Sequence, residues 1–295
     1  MLRRTLLVAF VAGLARTAPA QSPLVLQTDF GLSDGSVAAM KGVALSIAPR
    51  LEIHDLTHLI PPYDIREAAL RLRQTLPYWP RGTVFVSVVD PGVGTERRPV
   101  VVRTRSGHYV VTPDNGTLTF LADAVGLEAV RVIDVARHAK GGSQRSHTFQ
   151  GRDLFVVVGA GLAAGVLSLN EVGPAVDNTV ERLPLPPLRR SPGALTGGVI
   201  GIDRPFGNVW TNLPGAELDS AGLALGDTLR VSVRRGARVL FQGDLPYVGT
   251  FGDVSSGRPL LYLNSLLEAA LALNRADFAG RYGIEPGDLV ELKRR

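Results

Sequence analysis

The sequence predicts an α/β N-terminal domain with a mainly parallel sheet, followed by a smaller all-β, barrel-like C-terminal domain. Three observations carry this prediction. Apolar strand-like runs alternate with helix-like segments in the first half of the chain. A proline-rich stretch, residues 183–192, then excludes regular structure and indicates a linker. Short apolar runs separated by glycine-containing turns follow it.

Length and composition are consistent with two folded domains. The chain has 295 residues, of which 45% are hydrophobic and 20% are charged, as in ordinary globular proteins. We place the N-terminal domain at residues 22–182 and the C-terminal domain at residues 193–295, joined by the linker. The chain contains no cysteine, which excludes disulfides, thiol nucleophiles and cysteine-bound zinc.

The first 20 residues have the pattern of a secretory signal peptide. Arg3 and Arg4 precede an apolar stretch, residues 6–14, and Ala-Pro-Ala at residues 18–20 has the form of a cleavage site. The apolar stretch is too short to span a membrane as a helix. We therefore expect an exported, periplasmic protein, with an uncleaved anchor or a misassigned start as the alternatives.

The basic character of the chain does not indicate nucleic-acid binding. Arg3, Arg4 and Arg16 lie in the expected signal peptide, so the pI of 9.9 overstates the charge of the mature protein. The sequence also lacks a long run of Lys and Arg with interleaved aromatic residues. The expected partner is a small molecule.

The elements of the N-terminal domain follow from apolar periodicity. A first helix is expected to begin after an N-cap at Ser33 and to end at Pro49. The other expected strands and helices are residues 24–26 (strand), 51–56 (strand), 64–76 (helix), 83–89 (strand), 100–102 and 109–111 (paired strands), and 154–167 (helix).

The C-terminal domain is predicted to consist mainly of short strands. Its expected strands are residues 198–202, 229–233, 238–241 and 287–292, of which the second and third flank a turn. Residues 264–274 have apolar positions at helical spacing, so we expect a helix there.

Two acids follow strands at what should be one edge of the parallel sheet. Asp29 comes after the first strand, and Asp90 comes after residues 83–89. Because ligands of such sheets bind beyond the carboxyl ends of strands, both are candidate binding residues, although either could simply cap its loop. Asp90 opens a glycine-rich loop, residues 90–98, which lacks the Gly-Lys-Ser/Thr of a phosphate-binding loop.

A turn at residues 203–212 suits a flat, polar ligand. Phe206 or Trp210 could stack on a base, Asn208 could bind its edge, and Asp203 could hold an ammonium or hydroxyl group. The alternative is a surface turn whose aromatic side chains pack on the core.

Five segments, in order along almost the whole mature chain, resemble one protein family. They are residues 28–31, 90–98, 113–116, 148–153 and 203–212. The family is that of the S-adenosyl-L-methionine (SAM) hydroxide adenosyltransferases, related to fluorinating and chlorinating enzymes. The resemblance implies an α/β domain, a β-barrel domain, and a homotrimer whose substrate lies between one subunit's N-terminal domain and its neighbour's C-terminal domain.

The resemblance also implies where the parts of the substrate bind. The ribose would contact Asp29 and Tyr63, the methionine end Asp34, Ser36 and Asp203, and the adenine Phe206 and Asn208.

One position departs from the family's catalytic residues. Asp90 and Arg97 match two members of the hydrolases' Asp-Arg-His set, and Asp90 favours the hydrolases over the halogenating relatives, whose residue there is not acidic. Gln150 replaces the histidine. Glutamine can orient a water molecule but cannot accept its proton. His147, three residues earlier, is the alternative source of an imidazole.

These residues predict hydrolysis of SAM to adenosine and L-methionine by attack of water at C5′ of the ribose, without a metal or other cofactor. His54 and His58 are spaced four apart but on a strand and loop, so metal binding by the pair is not expected. Two alternatives are an exported SAM- or adenosine-binding protein with weak or lost catalysis, and halide-dependent transfer of the adenosyl group.

Overall fold

The computed structural model describes residues 21–140 and 146–295. The expected signal peptide lies outside these residues. Within them, no helix is both long and apolar enough to cross a membrane. The strands and helices of the N-terminal domain are β1 (Leu24–Thr28), α1 (Ser36–Ile47), β2 (Ile53–Thr57), α2 (Ile65–Thr75), β3 (Val84–Val88), β4 (Pro99–Thr104), β5 (Tyr109–Pro113), α3 (Thr119–Val125), β6 (Leu127–Val132), α4 (Val135–His138), α5 (Val156–Ala163) and β7 (Ala175–Val176).

The N-terminal domain is a mixed sheet covered by helices on both faces, which confirms the predicted fold class. The strand order is β2-β1-β3-β5-β4-β6-β7, and the first four strands are parallel. Apolar residues of α1 and α5 pack on one face, and those of α2 and α3 pack on the other. Because both faces are covered, β1 and β3 are buried throughout their length and are mostly apolar.

Local sequence explains where α1 and α2 begin. Asp64 caps α2 by accepting a hydrogen bond from Glu67 N at 2.9 Å, as the polar residue before an apolar helical pattern predicts. The expected N-cap at Ser33 is wrong, because α1 begins at Ser36. Asp34 accepts a hydrogen bond from Ser36 N at 2.8 Å, so its carboxylate satisfies a backbone donor in the first turn instead.

The C-terminal domain is an antiparallel sheet that nearly closes into a barrel. Its order is β12-β11-β15-β9-β10-β14-β13, and β8 pairs with β9. Tyr247 forms a bridge with Leu261, which joins the two ends of the sheet. Its elements are β8 (Arg189–Ser191), β9 (Ala194–Asp203), β10 (Asn208–Pro214), α6 (Gly215–Ser220), β11 (Thr228–Arg235), β12 (Arg238–Pro246), β13 (Pro259–Leu263), β14 (Glu268–Leu273), α7 (Phe278–Tyr282) and β15 (Leu289–Arg294).

Three expectations from the sequence need correction. Residues 264–274 do not form a helix; they form a turn and β14, whose side chains are all buried because the barrel core covers one face and the N-terminal domain covers the other. The expected helix at 154–167 is shorter, with a π-helical turn at Gly151–Phe155 leading into α5. The last residues of the expected linker form strand β8.

Helix α2 of the N-terminal domain packs against the C-terminal barrel. Ala69 and Leu70 of α2 pack with Trp210 and Ala270 of the barrel in one apolar cluster. Arg73 of α2 also forms an ion pair with the buried Glu268 of β14, with an Nη1–Oε1 distance of 2.9 Å. The two domains therefore share a buried, partly ionic contact.

Candidate active site

The carboxyl ends of β1 and β3 open into a cavity of about 380 Å³. Because these strands are parallel neighbours, the loops that follow them begin at the same edge of the sheet. This confirms that Asp29 and Asp90 lie at one edge. The predicted site residues that line this first cavity are Asp29, Ser36, Tyr63, Asp90 and Gln150.

Arg97 directly contacts the other two residues that are predicted to be catalytic. Arg97 donates to both oxygens of Asp90, at 3.0 Å from Nε to Oδ1 and through a shorter contact from Nη2 to Oδ2. The same Nη2 donates to Gln150 Oε1 at 2.5 Å. The side chains of Asp90 and Arg97 are 6% and 11% exposed, so this bidentate ion pair is largely shielded from solvent.

The surroundings of this cluster keep it in place. The guanidinium of Arg97 lies over the ring of Phe155, 5.3 Å from its centroid. Asn115, in the Pro-Asp-Asn-Gly segment, donates to the backbone oxygen of Val89 at 2.9 Å. This hydrogen bond fixes the backbone just before Asp90, which explains how a turn outside the cavity supports the cluster.

Asp29 and Tyr63 are held together at another part of the first cavity. The backbone N–H of Tyr63 donates to Asp29 Oδ2 at 2.9 Å. Tyr63 has a φ of 68°, which is unusual for a residue other than glycine, and its side chain is 72% exposed. Strained backbone of this kind often occurs at ligand-binding sites. Within the described residues, the other carboxylate oxygen of Asp29 has no hydrogen-bond partner, and Asp29 lines the cavity.

Asp34 lies outside the first cavity, unlike Ser36. Its exposed carboxylate accepts the backbone N–H of Ser36, which lowers the pKa of Asp34 below its ordinary value, with a further contribution from the Ser36 hydroxyl. Asp34 is therefore ionised next to Ser36 near neutral pH.

The histidines do not supply an imidazole to the first cavity. His147 is exposed and is absent from the residues that line the cavity. His58 is buried, and its two ring nitrogens contact Thr28 and Asp55. The part of the chain that the structure describes contains no group of three or more His, Cys, Asp or Glu residues placed to hold a metal ion.

The second cavity, of about 680 Å³, lies in the C-terminal domain. It brings together Asp203, Phe206 and Asn208, as the turn at residues 203–212 predicts. The ring of Phe206 is 65% exposed, whereas Asn208 is buried. Asn208 Nδ2 donates to Asp203 Oδ2 at 3.3 Å, which leaves the amide oxygen of Asn208 as an acceptor.

Several polar residues of the second cavity were not singled out from the sequence. Buried Asn264 accepts backbone hydrogen bonds through its oxygen, and its Nδ2 has no hydrogen-bond partner within the described residues. Burial raises the pKa of Tyr262 to about 12, with help from the charge of Asp203, so its phenol stays neutral. The asparagines and the Asn-Arg-Ala-Asp run at residues 274–277 are turn signals that could have indicated a loop instead of a helix.

The two cavities are separate in one chain. Among the described residues, none lines both of them. The ribose candidates Asp29 and Tyr63 line the first cavity with Asp90 and Gln150, which Arg97 contacts, and the residues assigned to adenine line the second. A single chain therefore does not bring all the predicted residues around one ligand.

The fold and the two cavities define a protein with a three-layer α/β domain, a β-barrel domain and candidate site residues in both. Comparison with known proteins is consistent with this class. Residues 24–173 match the SAM hydroxide adenosyltransferase N-terminal domain, and residues 197–291 match the C-terminal domain of the same family. The chain belongs to this family of SAM-processing enzymes.

Individual relatives include both of the activities considered from the sequence. The chain is 40% identical to an (R)-S-adenosyl-L-methionine hydrolase of Salinispora tropica, covering 90% of this chain and 95% of the relative. It is 33% identical to a fluorinase of an Actinoplanes species, covering 91% and 96%. An uncharacterised conserved protein from Thermotoga maritima has a similar structure, with a TM-score of 0.82 and 33% identity over 92% of this chain and 100% of that one.

Proposed function

We propose that the protein hydrolyses SAM to adenosine and L-methionine. The observation that carries the proposal is the contact of Arg97 with Asp90 and Gln150, which line the same cavity as Asp29. A carboxylate held next to a small cavity suits activation of a water molecule. The names of several relatives as SAM hydrolases support the same reaction.

The reaction needs little more than a correctly placed water molecule. Its oxygen forms a bond to C5′ while the C5′–sulfur bond breaks, and the electron pair of that bond neutralises the sulfonium to give the methionine thioether. Asp90 takes the proton that the water loses. Arg97 holds Asp90 through two hydrogen bonds, and Gln150 directs the NH₂ group of its amide at the water, because Arg97 occupies its oxygen.

Binding would use both cavities. The free oxygen of Asp29 accepts from the ribose hydroxyls, next to Tyr63, while Asp34 and Ser36 meet the methionine end. In the second cavity Phe206 stacks on adenine, the amide oxygen of Asn208 accepts from its amino group, and Asp203 attracts the substrate ammonium. The proposal includes no metal or other cofactor.

A halide-dependent reaction is less consistent with the first cavity. Asp90 is a carboxylate at the position where a halide would approach C5′, and like charges repel. A SAM- or adenosine-binding protein without catalysis is the second candidate, since Gln150 cannot accept a proton. The contact between Gln150 and Arg97 favours the enzyme, because all three members of the set stay assembled.

The decisive experiment is incubation of the purified protein with SAM, with and without chloride, followed by chromatography of adenosine and methionine. We expect adenosine release that does not depend on chloride and that falls by about 10²–10⁴-fold in Asp90→Asn. No turnover, together with saturable adenosine binding that Asp29→Ala weakens, would instead identify a binding protein. Absence of both turnover and binding would contradict the proposal.

Because the cavities are separate in one chain, we also propose a homotrimer with sites between subunits. Co-expression of Asp90→Asn and Asp203→Ala chains tests this. In a mixed trimer, one site can combine an intact N-terminal domain with an intact neighbouring C-terminal domain, so random mixing restores about a quarter of the sites. No recovery in trimers shown to be mixed would contradict shared sites.

Export to the periplasm is the remaining part of the proposal. It rests on the signal-like pattern of residues 1–20. Cell fractionation and mass determination of the mature N-terminus test it, and an intact N-terminus in the cytoplasmic fraction would contradict it.

A further inference from the structure

A chain of polar side chains lies directly behind the Asp29 loop. We call Lys41, Asp55, His58 and Thr28 the His58 network. Lys41 Nζ lies 2.7 Å from Asp55 Oδ2, His58 Nε2 lies 3.0 Å from Asp55 Oδ1, and His58 Nδ1 lies 2.8 Å from Thr28 Oγ1. His58 is 3% exposed, and Thr28 is fully buried. None of these four side chains lines the first cavity.

The donors and acceptors of the network are self-consistent for a neutral imidazole. Burial disfavours ionised Asp55, but its contacts with Lys41 and His58 outweigh this and lower its pKa. An ionised carboxylate only accepts, so His58 Nε2 carries the proton and Nδ1 accepts from the Thr28 hydroxyl. The Thr28 oxygen in turn accepts the backbone N–H of Phe30 at 3.2 Å.

His58 also connects the two loops that carry the ribose-binding candidates. Its backbone oxygen accepts from Gly31 N at 2.8 Å, while its ring binds Thr28 in the same segment. Asp29 lies between these two attachment points and holds the backbone of Tyr63 in the loop after His58. The network therefore connects the two segments that carry Asp29 and Tyr63.

We propose that His58 is a positioning residue, which acts through Thr28 to hold Asp29 and Tyr63 in the geometry that binds the ribose. The inference rests on the proposed function of this cavity. It predicts that the contact between His58 and Thr28, and not the bulk of the buried ring, determines affinity for adenosine and KM for SAM.

Two substitutions of His58 separate its contacts. His58→Asn places an amide oxygen near the position of Nδ1, so it can still accept from Thr28 but loses Asp55. His58→Gln reaches Asp55 but leaves the Thr28 hydroxyl without an acceptor. We expect His58→Gln to weaken adenosine binding and raise KM by about tenfold, and His58→Asn to retain most of the affinity.

Thr28→Val is a second test that avoids any change to the histidine. It keeps the shape of the side chain, removes the hydroxyl, and is expected to weaken adenosine binding as His58→Gln does. Thr104→Val is the matched control. Thr104 is also a buried threonine at the carboxyl end of a strand, β4, and its hydroxyl forms hydrogen bonds with the backbone of His108. Its affinity for adenosine should match that of the unaltered protein.

The readouts are calorimetric adenosine binding, KM and kcat for SAM, and hydrogen exchange of residues 28–31 and 59–64. In an Asp29→Ala background, Thr28→Val should weaken binding by much less than in the unaltered protein. Equal losses in both backgrounds, or affinity that falls equally in His58→Asn and His58→Gln, would overturn the positioning role. If the unaltered protein does not bind adenosine, the proposed function fails and this inference fails with it.

Discussion

Replacing Gln150 by histidine, the residue that the family resemblance implies for this position, should change kcat by less than about tenfold. Arg97 Nη2 donates to Gln150 Oε1 at 2.5 Å, so the amide presents its NH₂ group to the cavity. A neutral imidazole has one acceptor and one donor nitrogen. If Arg97 occupies the acceptor, histidine also presents only an N–H to the cavity. Glutamine and neutral histidine are therefore equivalent in this position.

The matched control is Gln150→Leu, which has a similar size and neither donor nor acceptor. It leaves an N–H of Arg97 without its acceptor and removes the donor to the water. Two lost hydrogen bonds of about 1 kcal/mol each correspond to a fall in kcat of roughly 30-fold. The ratio of kcat between the histidine and leucine variants thus measures how much the hydrogen bonds at position 150 contribute to the rate.

The assay is adenosine release at saturating SAM from about pH 5 to about pH 9, which brackets the ordinary pKa of histidine. We expect the pH profiles of the unaltered protein and of Gln150→His to have the same shape. A rise in kcat of roughly 100-fold or more, with a new midpoint near about pH 6.5, would show that a proton acceptor had been missing. That result would refute the argument that glutamine and histidine are equivalent at position 150 because Arg97 occupies the acceptor atom of either side chain.

Three further predictions concern the second cavity and the barrel. Phe206→Ala should weaken adenosine binding, measured by calorimetry, by about tenfold or more, because stacking on a base contributes about 1–3 kcal/mol; unchanged affinity would exclude adenine stacking there. Gly207→Ala should lower the free energy of unfolding in denaturant more than Gly222→Ala. Both glycines have positive φ, of 70° and 74°, but an added Cβ at Gly207 would lie 1.8 Å from Asp277 Oδ1, whereas Gly222 faces open space; equal losses would contradict this clash. Burial raises the pKa of Glu268 above its ordinary value of 4.5. The stabilisation that Glu268 provides is therefore complete below pH 4.5 and is lost as the pH rises through the raised pKa of the folded protein. The melting temperature of Glu268→Gln relative to the unaltered protein should therefore increase with pH, and a difference independent of pH would contradict the shift.

The N-terminal domain could be predicted because its local signals agree with its tertiary structure. The mostly apolar, β-branched run Val84–Val88 favours a strand covered on both sides, and Asp64 marks the start of α2 in the expected way. The prediction for β14 was wrong because its local signals disagree with its tertiary structure. Its Ala- and Leu-rich run has helical propensity, but pairing with β10 and β13 makes it a strand whose two faces are both buried.

The two halves of the candidate site differ in how far sequence could predict them. Asp29 and Asp90 follow neighbouring parallel strands, so their meeting follows from topology. Asn264 follows β13 and Arg275 follows β14, so they lie at opposite ends of this antiparallel pair. Both line the second cavity because of strand pairing whose register periodicity does not specify. The hydrogen bond of Gln150 to Arg97 likewise depends on the π-helical turn that follows it.

For the proposed hydrolysis, the charges of the two cavities give a physical reason for release of the products. Within the described residues, neither Asp29 nor Asp203 has an ion-pair partner, and each lines its cavity. SAM carries a positive sulfonium in addition to its amino-acid charges, so both carboxylates attract it. Hydrolysis removes that sulfonium charge and yields neutral adenosine and a methionine without net charge. In the proposed reaction, the carboxylates that attract the substrate would therefore hold the products less strongly, so the chemical step itself would weaken binding.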